Sequence, residues 1–83
     1  MKIGVVSGAV WSTKKCESLT GHPLLLVNVE ETTVVAGDLV GAGTGDRVLV
    51  SFGSAARTEC PQAPVDAAIV GIIDPMEETD VNQ

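Results

Sequence analysis

Short apolar runs, interrupted by glycine, proline and polar turn residues, follow one another along most of the chain. The runs are rich in β-branched residues and are shorter than most helices, which is typical of strands. In the clearest run, Val48, Val50 and Phe52 occupy alternate positions, so they share one face that we expect to be buried. The pattern predicts five strands, at 2–11, 24–30, 34–36, 47–52 and 67–74.

The first of these runs contains two glycines within an otherwise apolar strand, Gly4 and Gly8. Glycine inside a strand indicates a bend, a bulge or a close approach of another backbone. The alternation of the run defines two faces, one with Ile3, Val5, Ala9 and Trp11 and the other with Val6 and Val10. We therefore expect this strand to be irregular.

The connections between the runs are polar or marked by glycine and proline. Residues 12–23 and 60–64 are predicted loops, a turn is expected near 31–32, and 54–57 is a candidate helical turn with Ser54 as its N-cap. Five strands without a long amphipathic helix predict an all-β fold. A flat sheet would expose its edges, and closure into a small five-stranded barrel removes them. We expect one barrel domain at 1–75 and an acidic tail at 76–83.

Composition adds a constraint on the quaternary state. The chain has 83 residues, of which 45% are hydrophobic, and its mean hydropathy is +0.30. A domain of this size buries only about 60–65% of its unfolded surface. So apolar a chain is expected to place part of its hydrophobic surface in subunit contacts, and a well-packed monomer remains the alternative.

The charge of the chain argues against nucleic acid as a partner. The net charge is −6 and the sequence pI is about 4.4, whereas nucleic-acid binders carry basic patches. The aromatic residues are Trp11 and Phe52 alone, too few for a stacking platform. No signal region and no apolar run of membrane-spanning length is visible. We expect a cytosolic protein with no membrane partner, in which Cys16 and Cys60 are reduced.

A glycine-rich run at 41–46 raises the question of a phosphate-binding loop. A dinucleotide fingerprint needs G-x-G-x-x-G followed by a helix, and a P-loop ends in Lys-Ser/Thr. Here Gly41, Gly43 and Gly45 are spaced G-x-G-x-G, and a strand follows. The run predicts a tight connection between strands three and four, whose glycines permit positive φ and close backbone approach. No cofactor is expected.

Candidate catalytic and metal-binding residues are few. His22 is the single histidine, and a nucleophilic mechanism would have to use it. Cys16, His22 and Cys60 could ligate a metal, but their spacing matches no zinc knuckle or ribbon. The aspartates at strand ends are interpreted as turn caps rather than as an acid–base pair: Asp38, Asp46, Asp66 and Asp74. Arg57 is either a surface charge or the partner of an acid, in its own chain or a neighbour's.

Several segments together resemble a known family in their order and spacing. The most specific is Asp38-Leu-Val-Gly-Ala-Gly-Thr-Gly-Asp46, and the others are 8–10, Thr13 and Lys15, Leu19, Gly21, 24–27, 48–50, 53–57 and 64–74. The sequence resembles the bacterial microcompartment vertex proteins, small pentameric shell proteins of carboxysomes and of ethanolamine- and propanediol-utilising compartments. The resemblance spans nearly the whole chain, from Lys2 to about Asp74.

The resemblance implies a fold, a function and a set of partners. It implies a five-stranded barrel of the oligonucleotide/oligosaccharide-binding type that assembles as a homopentamer and caps the five-fold vertices of a shell. The partners would be hexameric shell tiles, and the protein would be a structural component in the bacterial cytoplasm rather than an enzyme. The candidate interface and pore residues are Gly41, Ala42, Gly43, Thr44, Gly45, Asp46 and Arg57, with Thr13 and Lys15 as the family motif after the first strand.

Two positions depart from the family pattern, and two other functions stay open. The connection between Glu30 and Val34 is shorter than in many members, and Trp11 replaces a smaller aliphatic residue. An exposed tryptophan there could mark a contact surface. The alternatives are a small barrel that binds a ligand or an oligonucleotide, and a small hydrolase that uses His22. Oligomeric state separates the shell protein from both.

Overall fold

The computed structural model describes residues 1–11, 16–19, 21–59 and 65–74. Within these ranges the elements are β1 (Lys2–Ala9), β2 (Leu24–Val29), β3 (Thr32–Asp38), β4 (Arg47–Phe52), α1 (Gly53–Glu59) and β5 (Ala67–Ile72), with a 3₁₀ turn at Glu17–Leu19. All five predicted strands are present, but β1 and β5 end two residues, and β2 one residue, before the predicted positions 11, 74 and 30. β3 is longer than the predicted 34–36, because backbone pairing with β2 extends from Thr32 to Gly37.

The strands close into a barrel in the order β1-β2-β3-β5-β4, with β4 pairing back to β1. β3 and β5 run parallel, and the other neighbouring strands run antiparallel. A closed five-stranded barrel with one short helix is the fold predicted from the sequence, and its strand order is that of the OB type. Closure gives every strand a neighbour on both sides, whereas a flat sheet of these strands would have two edge strands.

The barrel interior is narrow and is filled mainly by valine and alanine. The buried core consists of Val6, Val27, Val29, Ala36, Val48, Val50, Ala67 and Ile69. Val48 and Val50 are completely buried, which confirms the face predicted from their alternation. Phe52, on the same face, is half-buried and packs against the core cluster. A small barrel leaves room for short side chains, so β-branched residues both favour the strands and fit the interior.

Gly4 and Gly8 produce the two irregularities that were expected of β1. A Cβ at Gly4 would lie 2.6 Å from Val27 Cγ1 and 2.8 Å from the carbonyl oxygen of Asn28. β2 can therefore approach β1 this closely only because residue 4 has no side chain. Between Val6 and Gly8 the register with β2 shifts, as at a bulge. The sequence pattern therefore predicted an irregularity at both positions. The structure shows a close approach of β2 at Gly4 and a bulge-like register shift next to Gly8.

The helix α1 packs on the outer surface of β4 and β5. It begins at Gly53, whose N–H donates to the carbonyl oxygen of Asp66 at 2.8 Å, and it is longer than the predicted 54–57. Ser54 lies within the helix, so its prediction as N-cap is wrong. Ala56 is the completely buried residue of α1. Residues 12–15 and 60–64, and the tail from 75, lie outside the described residues.

Candidate functional site

The connection between β3 and β4, residues 39–46, is here called the glycine loop. Two hydrogen bonds hold its end against β1: Gly45 N–H donates to the Val6 carbonyl at 2.8 Å, and Val6 N–H donates to the Asp46 carbonyl at 3.0 Å. At its start, Leu39 N–H donates to the Ile69 carbonyl of β5 at 3.3 Å. The loop is therefore anchored to two strands, β1 and β5, which supports one defined conformation.

The carboxylate of Asp38, at the end of β3, organises the first half of the glycine loop. Its Oδ1 accepts hydrogen bonds from the N–H groups of Val40 at 3.1 Å, Gly41 at 3.1 Å and Ala42 at 3.2 Å. Its Oδ2 accepts from Ala42 N–H at 3.0 Å. Three consecutive backbone donors thus surround one side chain, in the manner of an anion-binding nest.

Asp46 does the same for the second half of the loop. Its Oδ2 accepts from Gly43 N–H at 2.8 Å, and its own N–H donates to the Gly43 carbonyl at 3.0 Å. The interpretation of these aspartates as turn caps agrees with this geometry. A phosphate would have to displace the carboxylates to reach the loop N–H groups, so the glycine loop is not arranged as a phosphate cradle.

The three loop glycines differ in what the chain itself requires of them. Gly41 has φ +77° and Gly45 has φ +93°, values that side chains with a Cβ rarely adopt. Gly43 has no such backbone angle, and an added Cβ would meet only Asp46 Oδ2, at an ordinary 3.9 Å. Nothing within the described chain therefore demands glycine at position 43.

Arg57 lies in the last turn of α1, and it is exposed. Its guanidinium makes no ion pair or side-chain hydrogen bond with the described part of the chain. The glycine loop precedes β4 and α1 follows it, and a six-residue strand spans about 17 Å. Within one chain the structure therefore separates Arg57 from the loop residues with which it was predicted to act.

The remaining predicted positions divide between described and undescribed residues. Thr13 and Lys15 of the family motif lie outside the described residues. Trp11 is 91% exposed, and beside it lies a groove of about 280 Å³ whose lining includes His22, Pro23 and Leu24. The exposed position agrees with the expectation of a contact surface, but nothing described covers it.

A second and larger groove was not predicted from the sequence. It has a volume of about 470 Å³ and lies near the start of β1 and the β2–β3 turn, with Lys2, Glu30 and Phe52 in its lining. An ion pair between Lys2 Nζ and Glu30 Oε1, 3.1 Å long, lies beside it. Both side chains are more than half exposed, so this pair stabilises the barrel little.

Of the three candidate metal ligands, Cys16 and His22 lie within the described residues. No group of three or more His, Cys, Asp or Glu capable of holding a metal occurs in 1–11, 16–19, 21–59 and 65–74, and Cys60 lies outside these ranges. Cys16 is exposed, and the pKa of its thiol is lowered, first of all by the hydrogen bond with Ser18, whose Oγ is 3.3 Å from Sγ. Among the same residues, no helix is long and apolar enough to cross a membrane.

Comparison with known proteins identifies the family. The model of the family described as "Ethanolamine utilisation protein EutN/carboxysome" matches residues 1–74. The carboxysome shell vertex protein CcmL of Synechocystis is 48% identical over 83 residues, covering 89% of this chain and 83% of CcmL. The bacterial microcompartment shell vertex protein GrpN of Rhodospirillum rubrum is 45% identical over 86 residues, covering 93% of this chain and 97% of GrpN.

Solved structures give the same result. GrpN of Rhodospirillum rubrum, a pentameric microcompartment shell protein, aligns with a TM-score of 0.80 at 46% identity, covering 89% of this chain and 94% of GrpN. CcmL of a Nostoc species aligns with a TM-score of 0.81 at 46% identity, covering 89% of each chain. The fold similarity therefore extends over the whole barrel.

The described chain is a small closed barrel whose glycine loop is held by the carboxylates of Asp38 and Asp46. The chain belongs to the EutN/CcmL family of microcompartment shell proteins. Its role is that of a structural vertex protein in a microcompartment shell, not that of an enzyme, as the sequence predicted. The hydrolase and the ligand- or oligonucleotide-binding barrel are not supported.

Proposed function

We propose that five copies of this chain form a closed ring that occupies the five-fold vertices of a polyhedral shell, with its rim against hexameric tiles. The observation that carries the proposal is the full-length similarity to the pentameric shell protein GrpN, in fold and in 46% of aligned residues. A shell of hexagonal tiles closes only where five-fold points are inserted. The protein's function is thus geometric, and it needs no cofactor.

The surface of the barrel supports association of several copies. Apolar side chains of β1, among them Ile3 and Val5, are exposed on its outer face. Leu39 and Val40 of the glycine loop are exposed as well. On so small a domain, apolar side chains exposed on a strand and on the loop beside it favour a protein–protein contact. A ring of identical copies buries such surface through a heterologous interface, in which two different patches of the chain meet.

The glycine loop is proposed as part of this subunit contact, near the five-fold axis. Gly41 and Gly45 are explained by their backbone angles, but Gly43 is not. A residue without a side chain, where its own chain leaves room for one, is accounted for if a neighbouring backbone approaches it. Thr44 and Asp46 would lie in the same contact, and Thr13 and Lys15 are proposed to belong to the ring surface after β1.

The native mass in solution tests the ring. Five copies of the 8.5 kDa chain give about 42 kDa, to be measured by native mass spectrometry together with light scattering. We expect this species to dominate at micromolar concentration. A monomer under these conditions would contradict the pentamer.

Contact with hexameric tiles needs a separate experiment. The pentamer is mixed with a purified hexamer-forming shell protein of the same compartment, and assembly into closed particles is followed by electron microscopy. Closed polyhedral particles are expected only when the pentamer is present. Open sheets or tubes in both samples would contradict the vertex position of this chain.

A further inference from the structure

The glycine loop offers acceptors, rather than donors, to anything that approaches it. The N–H groups of Val40, Gly41 and Ala42 are taken by Asp38, and that of Gly43 by Asp46. Gly45 and Asp46 donate to backbone carbonyls. Apart from Thr44, each residue from 40 to 46 thus has its backbone donor satisfied inside the loop or against β1.

Several carbonyl oxygens of the glycine loop, in contrast, have no hydrogen-bond donor among the described residues. Those of Val40, Gly41 and Thr44 accept no hydrogen bond from any residue within the described ranges, and all three residues are exposed. In a monomer, water satisfies them. Once a subunit contact excludes water, unpaired carbonyl oxygens destabilise it, so the contacting surface has to supply donors.

Among the described cations, one is available as that donor. Lys2 is paired with Glu30, and Arg47 has an interaction of its own. Arg57 is exposed, has no partner for its guanidinium in the described chain, and carries five N–H donors in a planar fork. Such a fork can bind several carbonyl oxygens at once, which a lysine ammonium does with less geometric specificity.

The positions of the two groups suit a ring. The glycine loop and α1 lie at opposite ends of β4, so one chain cannot join them. A heterologous interface brings together two different patches of the same molecule, one from each subunit. We infer that the Arg57 guanidinium of one subunit donates hydrogen bonds to the glycine-loop carbonyls of the adjacent subunit, an inference that rests on the proposed pentamer.

The stability of the pentamer against dilution tests this contact. Wild type, Arg57→Met and Arg57→Lys are diluted in steps, and the concentration at which half of the ring has dissociated is measured by native mass spectrometry. Arg57→Met keeps the apolar stem and removes the donors, so we expect dissociation at a concentration roughly tenfold higher or more. Arg57→Lys should fall between the two, because it keeps the charge without the fork.

Lys2→Met is the matched control. It removes the same charge from another exposed side chain, and its partner Glu30 stays in solvent. We expect its dissociation to match the wild type. A ring of Arg57→Met that is as stable as the wild type, or a loss of stability that Lys2→Met reproduces, would overturn the inference.

A cross-linking experiment locates the contact directly. In a Cys16→Ser, Cys60→Ser background, Arg57→Cys is combined with Val40→Cys and treated with a short bis-maleimide. Because the two positions lie at opposite ends of β4, the reagent can join only different chains, and a ladder of up to five chains is expected. A pentameric native mass without the ladder overturns the Arg57 contact alone, whereas a monomeric wild type overturns the proposed ring.

Discussion

At the scale of single residues, glycine serves four different purposes in this chain. Gly4 leaves room for a neighbouring strand, whereas Gly41 and Gly45 adopt positive φ. Gly8 lies at a register shift in β1. Gly43 has no such function within the described part of the chain, which is why we assign it to a contact between chains.

A methyl group at Gly4 should destabilise the barrel. In Gly4→Ala, the new Cβ would lie 2.6 Å from Val27 Cγ1 and 2.8 Å from Val29 Cγ2, distances that real Cβ atoms do not tolerate. Overpacking of this kind costs about 1–3 kcal/mol. We expect the melting temperature to fall by about 4–20 °C, measured by circular dichroism.

Gly8→Ala is the control on the same strand. Its Cβ would meet only Leu26 Cδ1, at 3.9 Å, which is an ordinary contact. This variant should melt within a few degrees of the wild type. Equal losses for both variants would show that strand propensity, rather than the close approach at Gly4, sets the effect.

At the scale of elements, α1 lies close to the barrel because small residues meet beneath it. Ser51 of β4 pairs with Ala68 of β5, and both are buried. They alternate with the inward-facing Val50 and Ile69, so they belong to the outer face that α1 covers. Ala56 is the buried residue of the helix itself. Small side chains on both surfaces thus set the distance between helix and sheet.

A larger side chain on the helix side of this contact should destabilise the protein. Ala56→Leu places a larger side chain where no space exists, and we expect a loss of about 1–3 kcal/mol in the free energy of unfolding. Urea denaturation followed by circular dichroism measures it. Ala55→Leu makes the same change at the neighbouring exposed position and should have little effect. If Ala55→Leu is equally destabilising, burial of Ala56 is not the cause.

At the scale of the whole molecule, the barrel presents two unlike regions to its surroundings. The glycine loop precedes β4 and offers carbonyl oxygens, and α1 follows β4 and offers a guanidinium. Each strand of the closed barrel pairs with two neighbouring strands, which disfavours association by added strands. We therefore expect assembly of such barrels to use loops, the helix and the outer sheet surface.

A large side chain at Gly43 should weaken assembly and spare the barrel. The Cβ of Gly43→Leu would meet only Asp46 Oδ2, at an ordinary 3.9 Å, so we expect its melting temperature at a concentration below assembly to stay close to that of the wild type. In the ring, the side chain would keep the neighbouring backbone away, and we expect the half-dissociation concentration to rise roughly tenfold or more. Gly43→Ala should give a smaller effect in the same dilution series. A Gly43→Leu ring of normal stability would exclude a close subunit contact at this position.

Much of the fold could be predicted because its causes are local in the sequence. Alternation in 47–52 marked the buried face of β4, and the glycines of β1 marked its irregularities. The extent of β3 could not be predicted, since it depends on pairing with β2 along its length. The start of α1 was misplaced at Ser54, because Gly53 forms its hydrogen bond with Asp66, which is distant in sequence.

The sequence by itself determined the strand order along the chain, the all-β class and the family, because these follow from residue pattern and spacing. It also marked the glycine loop as special. Only the tertiary structure decided that the Asp38 carboxylate accepts the loop N–H groups, that no described contact or backbone angle requires glycine at position 43, and that Arg57 lies at the far end of β4. These are matters of direction and distance in space, which depend on strand register and barrel closure rather than on the linear pattern.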